Sequence, residues 1–213
     1  MVGSHFFVLL VLGGRGPLVA TVGAAVVPFL VGVRVKPLGK LIVPRNAVWI
    51  VVLLGVAAVA VVYLYPTGVR MVTLTRLLEL SGPEMEISAA RRITFWTDAV
   101  SSWFGAPWFG HGIGAWPLLE GFEDAQLSPH NLILELLVEL GLLGLALFGM
   151  LVWYALRALG PLSAIRTDPW RLLILMLFVN VFLNAMSSGD IPDNRVVFAV
   201  LGLMTLPRQR STC

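Results

Sequence analysis

The chain has 213 residues, 58% of them hydrophobic and 13% charged, and its mean hydropathy is +0.88; one small core cannot bury that much apolar surface, which excludes an ordinary soluble domain. The net charge of +3 arises from basic residues scattered between apolar runs, with no stripe of arginines among stacking aromatics, so the expected partner is a lipid bilayer and not nucleic acid. The single cysteine, Cys213, permits no intramolecular disulfide and no thiolate cluster, and no metal or cofactor is expected.

Met1 to Leu12 is a short apolar run without a basic leader or a small-residue cleavage site, which argues against a cleaved signal peptide. It is also too short to cross a hydrocarbon core of about 30 Å, so the chain is expected to begin partway into a span, as an N-terminally truncated fragment would. Longer apolar stretches run from Pro17 to Val33, Ala47 to Tyr65, Leu132 to Leu156, Leu172 to Met186 and Val196 to Leu206. The pattern predicts an all-α polytopic membrane protein, a single domain over 1–213 with about five to six transmembrane helices.

Orientation follows from the basic residues. Arg34, Lys36, Lys40 and Arg45 share one short loop, Arg157, Arg166 and Arg171 another, and Arg208 and Arg210 the tail; these loops are expected to face the cytoplasm. Alternation then places Arg15, the segment Pro66 to Ser128 and the turn Ser187 to Arg195 together on the extracytoplasmic side. Within that long loop, Val69 to Leu80 has the spacing of an interfacial or capping helix, and a second helix is expected from near Ser88 to about Phe104. Arg92, Trp96, Ala99 and Trp103 would recur on one face of it.

The junction of this loop with the next apolar helix holds the residues richest in chemistry. Ser128 is a candidate N-cap and Pro129 suits a first helical position, which would put His130 and Asn131 in a first turn where amides are unpaired and anions are favoured. His130 could there accept a proton, pair with phosphate when charged, or merely cap the helix. Glu135 and Glu139, four residues apart on a membrane helix with Asn131 one turn earlier, need partners at that depth, for packing or for chemistry. Gly141 and Gly144 are expected to permit close helix contact.

Arg91 and Arg92 form an adjacent basic pair whose guanidinium forks match phosphate oxygens, on a lipid headgroup or on a substrate. Trp96, one turn on, could stack against Arg92. Arg15, flanked by Gly14 and Gly16, is read as sitting in a short turn open to a ligand. Gly110, Gly112 and Gly114 follow Pro107 in a glycine-rich turn without a preceding strand or a Walker lysine, so a shaped loop is expected in place of a nucleotide site. Trp103, Trp108, Phe109 and Trp116 could stack on sugar rings or form an aromatic belt.

Taken together, Arg92 with Trp96 and Ala99, then Pro107, Gly110, Gly112 and Gly114, then His130-Asn131 followed by Glu135, Glu139, Gly141 and Gly144 resemble the C-terminal half of the O-antigen ligase and O-antigen polymerase family. The Gly14-Arg15-Gly16 element resembles that family's Ser-Arg-Gly turn, with Gly14 in place of the serine. The resemblance implies a metal-independent, inverting glycosyltransferase of the bacterial cytoplasmic (inner) membrane, acting in cell-envelope polysaccharide or lipopolysaccharide biosynthesis. It would pass a glycan from an undecaprenyl pyrophosphate carrier to a hydroxyl of a lipid-anchored sugar, another glycan or a protein. By the same resemblance His130 and Arg92 are catalytic, Arg15, Arg91, Asn131 and Trp96 bind substrate, and Glu135, Glu139, Gly110, Gly112 and Gly114 support the site. A reading of a different class, a non-catalytic transporter or flippase fragment guiding lipid-linked anions, fits less well, because basic residues and histidine concentrate on one outer loop.

Overall fold

In a computed structural model the described residues are 15–32, 34–35, 41–42, 83–121 and 128–206, with side chains left out at 15, 18, 34–35, 41–42 and 83–89. The expected Ala47–Tyr65 span and Val69–Leu80 helix lie outside the described residues. The chain divides into two units, Met1–Ala90 and Arg91–Cys213.

The first unit contributes helix α1, Arg15–Gly32, and a two-residue antiparallel ladder of β1, Arg34–Val35, with β2, Leu41–Ile42. Ala20, Ala24, Val27 and Val31 recur at three- and four-residue intervals on the buried face of α1. The structure corrects one detail of the sequence reading, since Arg15 and Gly16 open this helix instead of forming a turn. The ladder, within the first basic loop, departs from an all-helical chain; it is the one strand pair among the described residues.

The second unit is helical throughout its described part. Helix α2 spans Pro83–Gly105, five residues earlier than the Ser88 start expected, with proline at the first position where no N–H is needed. A glycine-rich turn leads to the short α3, Ala115–Leu119. Then come α4, Leu132–Leu159, the short α5, Leu162–Thr167, α6, Pro169–Ala185, and α7, Arg195–Thr205. Asp168 caps α6 by accepting from Trp170 N at 3.0 Å and pairs with Arg171 at 3.4 Å. Arg171 in turn donates to the Leu159 carbonyl and so closes the C-terminal end of α4.

Among the described residues α4 is the one helix long and apolar enough to cross a membrane, while α6 and α7 are shorter apolar helices. At ~1.5 Å per residue, the 11 residues of α7 reach about 16 Å, half a bilayer core. Helices α4, α6 and α7 pack together through Phe148, Phe178, Phe182 and Phe198, whose ring centroids lie 5.6–6.5 Å apart. Leu143, Leu147, Met150, Trp153 and Tyr154 of α4 and Leu173 and Leu177 of α6 remain exposed. An exterior this apolar suits hydrocarbon better than water.

Helix α4 is broken at Gly141, whose backbone is at φ 66, ψ −166. In an unbroken helix Leu142 N would donate to Val138 O and Leu143 N to Glu139 O, four residues back. Instead the glycine-rich turn enters the gap. Its carbonyls accept from the upper half (Leu142 N to Pro107 O, 2.9 Å; Leu143 N to Trp108 O, 3.1 Å), and its amides donate to the lower half (His111 N to Val138 O, 2.9 Å; Gly112 N to Glu139 O, 2.9 Å). Two helical bonds are thereby replaced by four to the turn. Gly141 therefore accepts a loop and not a second helix, which corrects the expected helix contact at this residue.

This approach demands glycine on both sides. A Cβ on Gly110 would overlap the Glu139 carbonyl, and one on Gly141 would meet the Trp108 carbonyl and, at 2.6 Å, Gly110 N. Gly141→Ala and Gly110→Ala are each expected to destabilise the fold by about 2–4 kcal/mol, from a left-handed backbone plus a backbone overlap. Gly149→Ala, in a helical position where an added Cβ meets nothing, should be neutral or gain up to about 1 kcal/mol. Thermal unfolding followed by circular dichroism in detergent separates them; equal melting of all three variants would contradict the docking.

Candidate functional site

The site is assembled where α2, the start of α4 and the turn between α6 and α7 meet. Asn131, and not Ser128, is the N-cap of α4: its Oδ1 accepts from Ile133 N at 3.0 Å and Leu134 N at 3.3 Å. The sequence reading is corrected here, because Ser128, Pro129 and His130 lie ahead of the helix. His130 adopts φ 53, a left-handed conformation costly for a residue with a Cβ and worth attention where it occurs beside a reactive side chain. Asn131 is committed through its oxygen, which leaves its amide NH2 for other contacts.

Three tethers hold the segment in place. The Trp96 indole of α2 donates to the Pro129 carbonyl at 3.0 Å. The Ser128 hydroxyl donates to the Gly189 carbonyl at 2.9 Å. Glu135, one turn into α4, accepts from Ile191 N at 2.9 Å. The turn from Ser187 to Arg195 is itself knotted by Asn194, buried, whose Nδ2 donates to Ser188 O at 3.2 Å and Asp190 O at 2.9 Å. The turn lies against the residues on either side of His130, Ser128 through Gly189 and Glu135 through Ile191.

The two glutamates therefore divide their work. Glu135 ties α4 to the Gly189 turn, while the Glu139 carboxylate accepts from the backbone of Gly114 and Trp116, and its carbonyl accepts from Gly112 N. Both are almost fully buried. Gly114 caps α3 at φ 76, and Gly112 O accepts from Ala115 N at 3.2 Å.

Arg91 and Arg92 are exposed on α2. The cation–π contact belongs to Arg91, whose guanidinium lies 5.2 Å from the Phe95 ring centre; the expected stacking of Arg92 on Trp96 is not found among the described residues, because Trp96 is turned to Pro129. Of the aromatic residues considered for sugar stacking, Trp116 is fully buried, edge-on to Phe95 at 5.2 Å, and Trp103 spends its N–H on Pro107 O at 3.1 Å. Those two are core. Trp108 at 67% and Phe109 at 76% exposure keep free faces. Among the described residues no group of three or more histidines, cysteines or carboxylates could hold a metal ion.

Burial, then the charge of Arg92, then that of Arg91, hold the half-buried His130 imidazole below its ordinary pKa. Near neutrality it is thus uncharged and able to accept a proton, beside two cations able to meet an anion. Arg15 belongs to the first unit, where its backbone begins α1 and its side chain is outside the described set. What sequence reasoning missed is the Ser128–Gly189 link and the role of Ile191. The density of turn formers in Gly189-Asp190-Ile191-Pro192-Asp193-Asn194 was the available signal.

The family model described as O-antigen ligase matches residues 2–149, more than half of the chain. The chain belongs to the O-antigen ligase family. A Rickettsia prowazekii protein named as a candidate polysaccharide ligase is 30% identical over 116 residues, covering 49% of this chain and 28% of that protein. A Rickettsia bellii protein of the same description is 36% identical over 72 residues, covering 34% of this chain and 17% of that protein. This O-antigen ligase family member thus aligns with less than a third of the length of these relatives, and no solved structure matches it.

His130 is expected to titrate below the ordinary histidine value of about 6.5, and Arg92→Gln should raise its pKa more than Arg91→Gln, since removing a nearby cation relieves the imidazolium. Nitrogen-15 NMR of histidine-labelled protein across the mildly acid range checks this; a His130 that titrates identically in both variants would separate it from the arginines.

Proposed function

We propose that this chain carries the catalytic part of a glycan ligase that takes a glycan from an undecaprenyl pyrophosphate carrier and joins it to an acceptor hydroxyl at the outer face of the bacterial cytoplasmic membrane. The observation that carries the reading is the pairing of a neutral, half-buried His130 with the Arg91–Arg92 cations, in a segment that Trp96 ties to their own helix. In this reading α1, the 47–65 segment, α4, α6 and α7 lie in the membrane, and residues 66–128 form the extracytoplasmic loop.

The chemistry is a displacement at the anomeric carbon. The acceptor oxygen attacks from the face opposite the carrier, so configuration inverts. Its O–H proton passes to His130, the new C–O bond forms, and the bond from the anomeric carbon to the pyrophosphate oxygen breaks with its electron pair on the leaving group. Arg92, aided by Arg91, meets the charge that develops there, and guanidinium is suited to it because it stays protonated and donates bidentately. No metal is required for these steps. Trp108 and Phe109 offer faces for sugar rings.

The acceptor separates ligase from polymerase: a lipid-anchored sugar or a protein hydroxyl in the first case, another carrier-linked glycan in the second. The names of the two relatives favour the ligase. A gel of surface and carrier-linked glycans, comparing cells with the native gene, a His130→Ala allele and an Arg92→Ala allele at equal expression, tests the proposal. Anchored glycan should fall and carrier-linked precursor accumulate, with initial transfer slowed by about 10² or more, the scale of a lost general base. An unchanged profile in both alleles would refute it.

A further inference from the structure

The Ser128 hydroxyl makes three polar contacts from an almost fully buried position. It lies 2.9 Å from Gly189 O, 3.3 Å from His130 N and 3.4 Å from His130 Nδ1. A hydroxyl has one proton and two lone pairs. The Gly189 carbonyl can only accept, so it takes the proton; the His130 backbone N–H can only donate, so it takes one lone pair. What faces Nδ1 is the second lone pair, and that contact is attractive only when Nδ1 carries hydrogen.

We infer that Ser128 is a positioning residue that holds His130 in its Nδ1–H tautomer and thereby makes Nε2 the proton acceptor. The opposite arrangement, with the hydroxyl turned to Nδ1, would strand the Gly189 carbonyl against an oxygen lone pair across the shorter of the two gaps. That carbonyl cannot swing aside cheaply. Its turn is held by Ile191 N on Glu135 at 2.9 Å and by Asn194 on Ser188 O and Asp190 O. The left-handed backbone of His130 bears on the same contact, because φ turns the Cα substituents about the N–Cα bond and so sets where the imidazole lies relative to Ser128.

The inference rests on the transferase reading above and adds the atom through which His130 would work. The acceptor's O–H bond breaks and its proton joins Nε2, while the oxygen's electron pair forms the bond to the anomeric carbon and the departing pyrophosphate keeps the pair of the broken bond. The imidazolium so formed still donates from Nδ1 to Ser128. The same contacts therefore fit both protonation states, and no reorganisation is needed during transfer.

Nitrogen-15 spectra of histidine-labelled full chain in lipid nanodiscs, above the titration of His130, report the tautomer directly, with His130→Ala identifying the signals. Wild type should show a protonated Nδ1 and a bare Nε2. Ser128→Ala should shift His130 toward the Nε2–H form and slow transfer about tenfold with little change in donor KM, and Ser128→Thr should restore both. A bare Nδ1 in wild type overturns the assignment without recourse to any variant, as does an unchanged spectrum in Ser128→Ala. If the tautomer and its Ser128 dependence are as expected but His130→Ala transfers at the full rate, the proton-acceptor role falls with the transferase reading while the hydrogen-bond assignment stands.

Discussion

The arrangement depends on one backbone event, the interruption of α4 at Gly141. Breaking a helix in an apolar setting leaves amides and carbonyls without partners, each costing about 1–3 kcal/mol if buried unpaired and more in hydrocarbon. Here the Pro107–Gly112 turn supplies a partner for every group released: two carbonyls for Leu142 and Leu143, two amides for Val138 and Glu139. Irregular backbone at such a depth is tolerated where protein covers it, and the covering protein is the end of the polar loop. The break thereby fixes the loop that bears Arg91 and Arg92 to the helix that His130 precedes.

From that anchor the remaining geometry follows. Glu139 reinforces the docked turn through Gly114 and Trp116, while Glu135, one helical turn nearer the N-terminus, holds the Gly189 turn. Polar groups within an apolar helix are retained only with partners, and these two find theirs in the glycine-rich turn and the Gly189 turn. Between those segments runs Ser128-Pro129-His130, clasped by Trp96 on one side and Gly189 on the other. The left-handed conformation at His130 is held by these contacts, as a strained backbone must be.

Much of this was legible in the sequence, and the failures have physical causes. Hydropathy located α1, α4, α6 and α7 within one to three residues at most of their ends, because apolar length is a strong signal. The residue types at the site were equally readable: a histidine next to an apolar helix, a pair of arginines, two glutamates at helical spacing. The helix break was not, since Gly141 in a leucine-rich run reads as a close-packing position until its partner, Gly110, is known to lie against it. Ser128 was mistaken for the cap because Ser-Pro is a frequent helix start; Asn131, three residues on, caps equally well and its choice was decided by tertiary tethers to Pro129 and Ser128. Trp103 and Trp116 could not be sorted from Trp108 and Phe109 by type, as only burial distinguishes a core aromatic from an exposed one.

The most direct test of the central claim is an experimental structure of the full-length protein in a lipid nanodisc with a short-chain polyprenyl diphosphate. The diphosphate should lie beside the Arg91 and Arg92 guanidinium groups and His130, with the Pro107–Gly112 turn seated in the break at Gly141. A diphosphate bound elsewhere with these three residues unengaged, or an unbroken α4 with the turn undocked, would contradict it.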